Sequence, residues 1–235
     1  IFKCLKNFWP SLNVIGEEDE VDESPLEIEW SSINPSLFDA KELFGDKIPE
    51  DISTENATVW IDPIDGTTNF VQGEFECATT LIGLCTEKGP RLGVIGKYFH
   101  LNSESNKLDY LPTCTFSDAT VSRVFKFFPT QDSPKPTILF PKVETEKPKD
   151  LIVISSKSRK TDKLVELIES LNPTKRLHEG GCGNKILAIL DDRATVYLFP
   201  GSSTKKWDTA APEAVMRSFG GYMTDFSGAP FPYPS

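Results

Sequence analysis

Two aspartates three positions apart, Asp62 and Asp65, stand at the end of an apolar run beginning at Thr58, with Pro63 and Ile64 between them. Carboxylates delivered together at a strand end suit a hard divalent cation. Mg²⁺ takes oxygen ligands, keeps several waters and binds through a few carboxylates plus substrate phosphate. Pro63 has a fixed φ and no N–H for a ladder, so the chain is expected to leave its sheet there. Asp62, Asp65 and the Ile64 carbonyl can then converge on one point. Gly66 permits close backbone approach to a ligand, and the N–H groups of Gly66 and Thr67 could cradle a phosphate. Asp62-Pro63 alone reads as an Asx turn. The run from Trp60 to Phe70 holds two aspartates, a glycine and two threonines together, which a turn does not explain.

Two further acidic positions can complete such a cluster. Glu17-Glu18 follows Gly16 at a strand end, and Asp208 follows Trp207 at a helix start. By itself, Glu17-Glu18 is a solvated acidic run, because more acids follow it. By itself, Asp208 is an N-cap ahead of Thr209 and Pro212. Only in combination with Asp62 and Asp65 does either suggest more.

The elements that must position these residues are legible in part. Periodicity predicts a helix over 1–9, a strand over 12–15 and a strand over 58–61. It also predicts an antiparallel hairpin from 77–86 and 91–99. Residues 22–56 read as a surface insertion with a helical stretch over 38–44, and 102–149 carry no assigned element. The second half alternates: strand 151–155, helix 161–171, strand 176–179, helix 185–190, strand 194–199, helix 209–219 and strand 222–226. Gly220-Gly221 closes the last helix. In helix 161–171 the face of Leu164, Leu167, Ile168 and Leu171 is core. This pattern predicts a layered α/β architecture.

Composition narrows the partners. A formal net charge of −10 disfavours nucleic-acid polymers but not a small phosphorylated substrate, since bound cations invert the local field. Five cysteines without a CxxC pair, and two isolated histidines, exclude zinc-ligand spacing. Reduced thiols and the absence of a membrane-spanning apolar run predict a cytoplasmic protein with no membrane partner.

Gly16-Glu17-Glu18, the Asp62 to Phe70 block, and Trp207-Asp208-Thr209-Ala210-Ala211 running into Gly220-Gly221 together resemble the lithium-sensitive, Mg²⁺-dependent phosphatases of the inositol monophosphatase superfamily. Gly180-Gly181-Cys182-Gly183-Asn184-Lys185 is similar to the loop of its 3′(2′),5′-bisphosphate nucleotidase branch, whereas Asp65 to Phe70 looks more like an inositol monophosphatase. The resemblance implies an α-β-α-β-α sandwich, sugar-phosphatase-like. An N-terminal α+β lobe over 1–150 would carry most metal ligands, with 19–57 and 102–149 as variable insertions. A C-terminal α/β lobe over 151–235 would carry the substrate loop and the last metal ligand. It further implies Glu17, Asp62, the Ile64 carbonyl, Asp65 and Asp208 as ligands of two or three Mg²⁺ ions, with Glu18 behind them. Thr67 would orient the attacking water, and Gly66, Thr67, Ser156, Arg159, Gly181 and Lys185 would hold the substrate. Residues 156–160 read equally as a solvated strand-to-helix turn.

The activity implied is hydrolysis of a phosphate monoester without a covalent intermediate, by metal-activated water. The substrate expected is 3′-phosphoadenosine 5′-phosphate, giving AMP and phosphate. The alternatives are an inositol polyphosphate 1-phosphatase, an inositol monophosphatase, or a catalytically impaired metal- and nucleotide-binding fragment. The last arises because the resemblance leads one to expect truncation at both ends, with an upstream catalytic aspartate outside this sequence.

Overall fold

A computed structural model describes residues 1–18, 40–47, 49–102, 104–129, 136–139, 150–157, 161–199, 201 and 203–233. Helix α1 (Phe2–Phe8) leads into β1 (Asn13–Gly16), and helix α2 (Ala40–Phe44) precedes β2 (Ala57–Asp65). A short helix α3 (Thr67–Val71) is followed by strands β3 (Thr79–Thr86), β4 (Gly89–Leu101), β5 (Leu108–Asp118), β6 (Arg123–Phe127) and β7 (Thr137–Leu139). The rest is β8 (Ile152–Ser156), α4 (Asp162–Ser170), β9 (Lys175–Glu179), α5 (Cys182–Leu190), β10 (Val196–Leu198) and α6 (Lys206–Ser218).

Strands β1 to β7 form one sheet in chain order, and β10-β8-β9 form a second. The first pair is parallel and the rest of the large sheet antiparallel, while the small sheet is wholly parallel. One face of the large sheet is covered by α1, whose Phe2 and Leu5 pack against Leu12, Val59 and Ile61. Its other face meets α5 and α6, where Leu81, Ile95 and Val124 pack on Ile186, Leu187, Ala211 and Val215. Helix α5 also touches the small sheet through Ala188 against Ile154. Helix α4 covers that sheet's far side with Leu164 and Ile168 on Val153. The layers therefore run α-β-α-β-α, as expected. Each fully buried aliphatic side chain in these clusters stabilises the fold by about 1.5–3 kcal/mol.

Helix α6 follows the small sheet in sequence but lies against the large one. It comes so near that a Cβ on Gly83 would sit 2.4 Å from the Ala211 nitrogen, and one on Gly93 2.5 Å from the Ala211 oxygen. This close approach brings the start of α6, and with it Asp208, over the end of β2.

Several expectations are corrected. Strand β2 does not leave the sheet at Pro63: it continues to Asp65, with a register irregularity between Asp62 (opposite Leu81) and Asp65 (opposite Thr79). Residues 102–149 are not merely an insertion, since β5, β6 and β7 lie within them. The alternation there was disguised: the fully buried stripe of β5 is polar (Thr113, Thr115, Ser117), whereas Cys114 and Phe116 are half-buried. No strand forms over 222–226, where the chain instead turns at Asp225, whose carboxylate accepts the N–H groups of Ser227 and Ala229. Asp208 is not an N-cap but the third residue of α6. Most of the segment 22–56, and part of its helical stretch, lies outside the described residues. No helix among the described residues is long and apolar enough to cross a membrane.

Candidate active site

In a regular strand, residues three apart face opposite sides of the sheet. Between Asp62 and Asp65, β2 spends three residue steps where β3 spends two, and this bulge restores a common side. Parallel pairing of Gly16 with Ile61 places Glu17 beside Asp62, and the Glu17 N–H donates to the Ile61 carbonyl at 3.1 Å. Helix α6 supplies Asp208 from above. Carboxylate oxygens of Asp62, Asp65 and Asp208 all lie within 4.8 Å of one another.

Each carboxylate is held. The Asp62 Oδ1 accepts the Ile64 N–H at 3.0 Å. The Asp208 Oδ2 accepts the Lys205 N–H at 2.6 Å. Asp65 is the most constrained. Its Oδ1 accepts the Cys182 N–H at 3.0 Å, and its Oδ2 accepts the Gly183 N–H at 2.8 Å and the Thr79 hydroxyl at 2.9 Å. The N-termini of α5 and α6 thus point at the acids, a favourable placement for negative charge.

The cluster forms the floor of a cleft of about 290 Å³, at the lower end of the range for small-molecule sites. Its walls include Gly66, Thr67, Ser156, Gly181, Lys185, Tyr197, Phe199 and Trp207. Of the residues expected from sequence, Glu17, Asp62, Ile64, Asp65, Gly66, Thr67, Ser156, Gly181, Lys185 and Asp208 all meet here. Glu18 is exposed and does not line the cleft. Arg159 lies outside the described residues. The Lys185 ammonium is turned inward: it donates to the Gly181 carbonyl and sits 4.9 Å from the Tyr197 ring centre.

Residues not singled out from sequence also build the site. Thr79 anchors Asp65, but a threonine inside a strand gives no signal of this. Asn69 is buried against Gly180, where a Cβ would lie 1.9 Å from its Oδ1. Its Nδ2 donates to Glu74 at 2.6 Å, and Glu74 pairs with Lys157 across the cleft's edge. Cys182, in the loop that the sequence did single out, is buried, and burial with Asp65 nearby pushes its thiol up, away from the reactive thiolate.

The donor set fits a hard divalent cation. All donors are oxygens, lone pairs remain on each carboxylate, and no ion pair reaches Asp62, Asp65 or Asp208 among the described residues. The crowding shows in proton affinity: burial, then Asp65, Glu17 and Asp208, push Asp62 up to about 9. Asp208 is raised as well, mainly by burial, against the pull of the Lys205 N–H.

Comparison with known proteins agrees with this geometry. Residues 2–235 match the profile of the inositol monophosphatase family. The chain belongs to that family. Relatives of this inositol monophosphatase family chain include the human 3′(2′),5′-bisphosphate nucleotidase 1, 31% identical over 97% of this chain and 68% of its own length. The rat 3′(2′),5′-bisphosphate nucleotidase 1 is 30% identical over 99% of this chain and 70% of its length. The fold is that of the inositol monophosphatase-II of Staphylococcus aureus, with a TM-score of 0.61 and 17% identity over 98% of this chain and 69% of the other. Membership of the inositol monophosphatase family makes the chain a Mg²⁺-dependent phosphatase.

Without a cation, native Asp62 keeps a proton between the ordinary carboxylate pKa and about 9 that the unfolded chain has lost. Its contribution to stability therefore falls as pH rises through that window. A cation must displace that proton, so its affinity rises with pH by up to about tenfold per unit for one proton released. The Mg²⁺-induced rise in thermal midpoint is expected to be larger at about pH 8.5 than at about pH 6.5. A pH-independent rise in differential scanning fluorimetry would contradict it.

Proposed function

We propose that this chain is a 3′(2′),5′-bisphosphate nucleotidase, hydrolysing 3′-phosphoadenosine 5′-phosphate to AMP and inorganic phosphate. Glu17, Asp62, the Ile64 carbonyl, Asp65 and Asp208 would hold two or three Mg²⁺ ions. The observation that carries the reading is the convergence of Asp62, Asp65 and Asp208 within 4.8 Å on the floor of the cleft. The choice of substrate is supported by the two nucleotidase relatives, and by a cleft wall that offers Tyr197, Phe199 and Trp207 to a base.

Bound Mg²⁺ supplies an acidified water and charge neutralisation on the leaving oxygen. The chain's own residues do the positioning. Asp65, with all its donors fixed, sets the geometry of the cluster, and Asp62 must give up its proton before it can serve as a ligand. Thr67 at the cleft's lip orients the attacking water. Gly66, Ser156 and Gly181 present small surfaces to the phosphate and sugar. Lys185, with its ammonium on the Gly181 carbonyl, adds positive charge behind the loop. A cytosolic setting is supported by the five free thiols.

The test is phosphate release from 3′-phosphoadenosine 5′-phosphate and from inositol 1,4-bisphosphate, with and without Mg²⁺, then with Li⁺. Mg²⁺-dependent, Li⁺-inhibited release favouring the nucleotide is expected. Preference for the inositol phosphate would reassign the substrate, and absence of release despite cation binding would leave a binding protein.

A further inference from the structure

Beneath the Gly180-Gly181 loop lies a buried polar network that the proposed chemistry does not use. Lys97 on β4 is 8% exposed and Asn184, in the first turn of α5, is 1% exposed. The Lys97 Nζ donates to the Asn184 Oδ1 at 2.6 Å. The Asn184 Nδ2 donates to the Glu179 Oε2 at 3.0 Å and to the Gly180 carbonyl at 3.2 Å. Arg193 holds Glu179 in turn, at 2.7 and 3.3 Å.

Only one orientation of the Asn184 amide satisfies these neighbours. An ammonium can only donate, whereas a carboxylate and a carbonyl can only accept. The amide lies between them, so its oxygen must face Lys97 and its nitrogen must face Glu179 and Gly180. Turned over, it would set nitrogen against ammonium, and oxygen against both acceptors. Unsatisfied buried polar contacts of this kind are strongly disfavoured.

The consequence reaches the acids. Asn184 pins the Gly180 carbonyl and Lys185 pins the Gly181 carbonyl. The Gly181 carbonyl shares a peptide plane with the Cys182 N–H, so turning it back onto Lys185 aims that N–H at Asp65, and the Asn184 bond to the Gly180 carbonyl anchors the residue before it. We propose that Lys97 is a positioning residue for the cation site: by orienting the Asn184 amide, it holds the loop whose N–H groups fix Asp65. This inference rests on reading the acid cluster as a cation centre. Lys97 lies in neither the cluster nor the cleft lining, so it acts through Asn184 and not on the cation directly.

The test compares Lys97→Met, which keeps the length of the side chain but has no donor, with Lys97→Gln, which keeps a donor. Mn²⁺ binding to the full chain is measured by isothermal titration calorimetry without substrate, alongside the Mg²⁺ dependence of phosphate release. Lys97→Met is expected to weaken Mn²⁺ binding about tenfold, equivalent to about 1.4 kcal/mol, and Lys97→Gln by no more than about twofold. A residue that merely supports the fold would lower the thermal midpoint in both variants and leave Mn²⁺ affinity alone. Wild-type affinity in Lys97→Met, or equal weakening in Lys97→Gln, would overturn the proposal. Should Lys97→Met not fold, Asn184→Asp serves. It keeps an acceptor for Lys97 but sets a second acceptor against Glu179 and Gly180, so unchanged Mn²⁺ affinity there would also overturn it. Wild-type protein that binds Mn²⁺ but releases no phosphate would sink the functional reading alone, because the binding comparison needs no turnover.

Discussion

Asp65→Ala is expected to abolish phosphate release and to lower stability, whereas Asp62→Asn abolishes release while leaving the cation-free fold as stable as before, or more so. The two aspartates are three residues apart and share one cluster, yet their surroundings differ in sign. Asp65 accepts from Cys182, Gly183 and Thr79, all buried. Truncating it strands these donors, and each unsatisfied buried donor costs about 1–3 kcal/mol. A total loss of about 3 kcal/mol or more is the expected scale. Asp62 accepts one N–H, from Ile64, and is otherwise crowded by like charges that raise its pKa. Asparagine there keeps an acceptor for Ile64 and spares the cation-free fold the proton that Asp62 must take up above the ordinary carboxylate range. For turnover the two behave alike. Loss of a cation ligand forfeits several kcal/mol of transition-state stabilisation, and about 1.4 kcal/mol is tenfold in rate, so a fall on the order of 10³ is expected. Thermal melts with and without Mg²⁺, beside phosphate release, check both. An Asp65→Ala protein that melts with the wild type and still responds to Mg²⁺ would refute the account.

Gly181→Ala is expected to leave a folded protein with phosphate release lowered by on the order of 10², the scale for losing fixed donors at a reacting centre. Gly181 has φ of +68°, and a Cβ there would stand 2.4 Å from the Cys77 carbonyl oxygen and 3.2 Å from the Asp65 Oδ2. With ψ of 134° this backbone lies outside the left-handed helical well and costs an alanine about 1–3 kcal/mol. The larger effect is steric, since the Cys77 carbonyl is backbone and yields little. Either the loop shifts, taking the Cys182 and Gly183 N–H groups off Asp65, or Asp65 itself is displaced. Gly73→Ala is the control. Its φ is +82°, but nothing lies within 4 Å of the added Cβ, so backbone strain acts there without a clash. Its stability should fall by about 1 kcal/mol with release unchanged. Equal rates for the two variants would show that the loop's closeness to Asp65 does not matter.

The sites of these changes differ in how far they could be read from sequence. The pairing of Asp62 with Asp65, the glycine after them and the partner acids at Glu17 and Asp208 are chemical facts of residue type and short spacing, so they were visible without a structure. So were most helices and strands, whose apolar periods are local. Strand β5 was not, because its buried stripe of Thr113, Thr115 and Ser117 inverts the pattern by which a strand is recognised.

Residue type and short spacing were enough to name the acids that could bind a cation, though not to place Asp65 inside β2 or Asp208 inside α6. Tertiary structure alone decided which of them face one another. A one-residue bulge, invisible in the sequence, puts Asp62 and Asp65 on the same side. The register of β1 on β2, not the run of acids, sends Glu17 and not Glu18 into the cleft. Lys185, which resemblance places at the substrate, lines the cleft, and the turn of its helix aims its ammonium at the Gly181 carbonyl. The physical reason is the same in each case: a side chain's direction depends on contacts between distant segments. Asp65, for example, is held by N–H groups 117 and 118 residues further along the chain, and whole helices must pack before those groups can reach it.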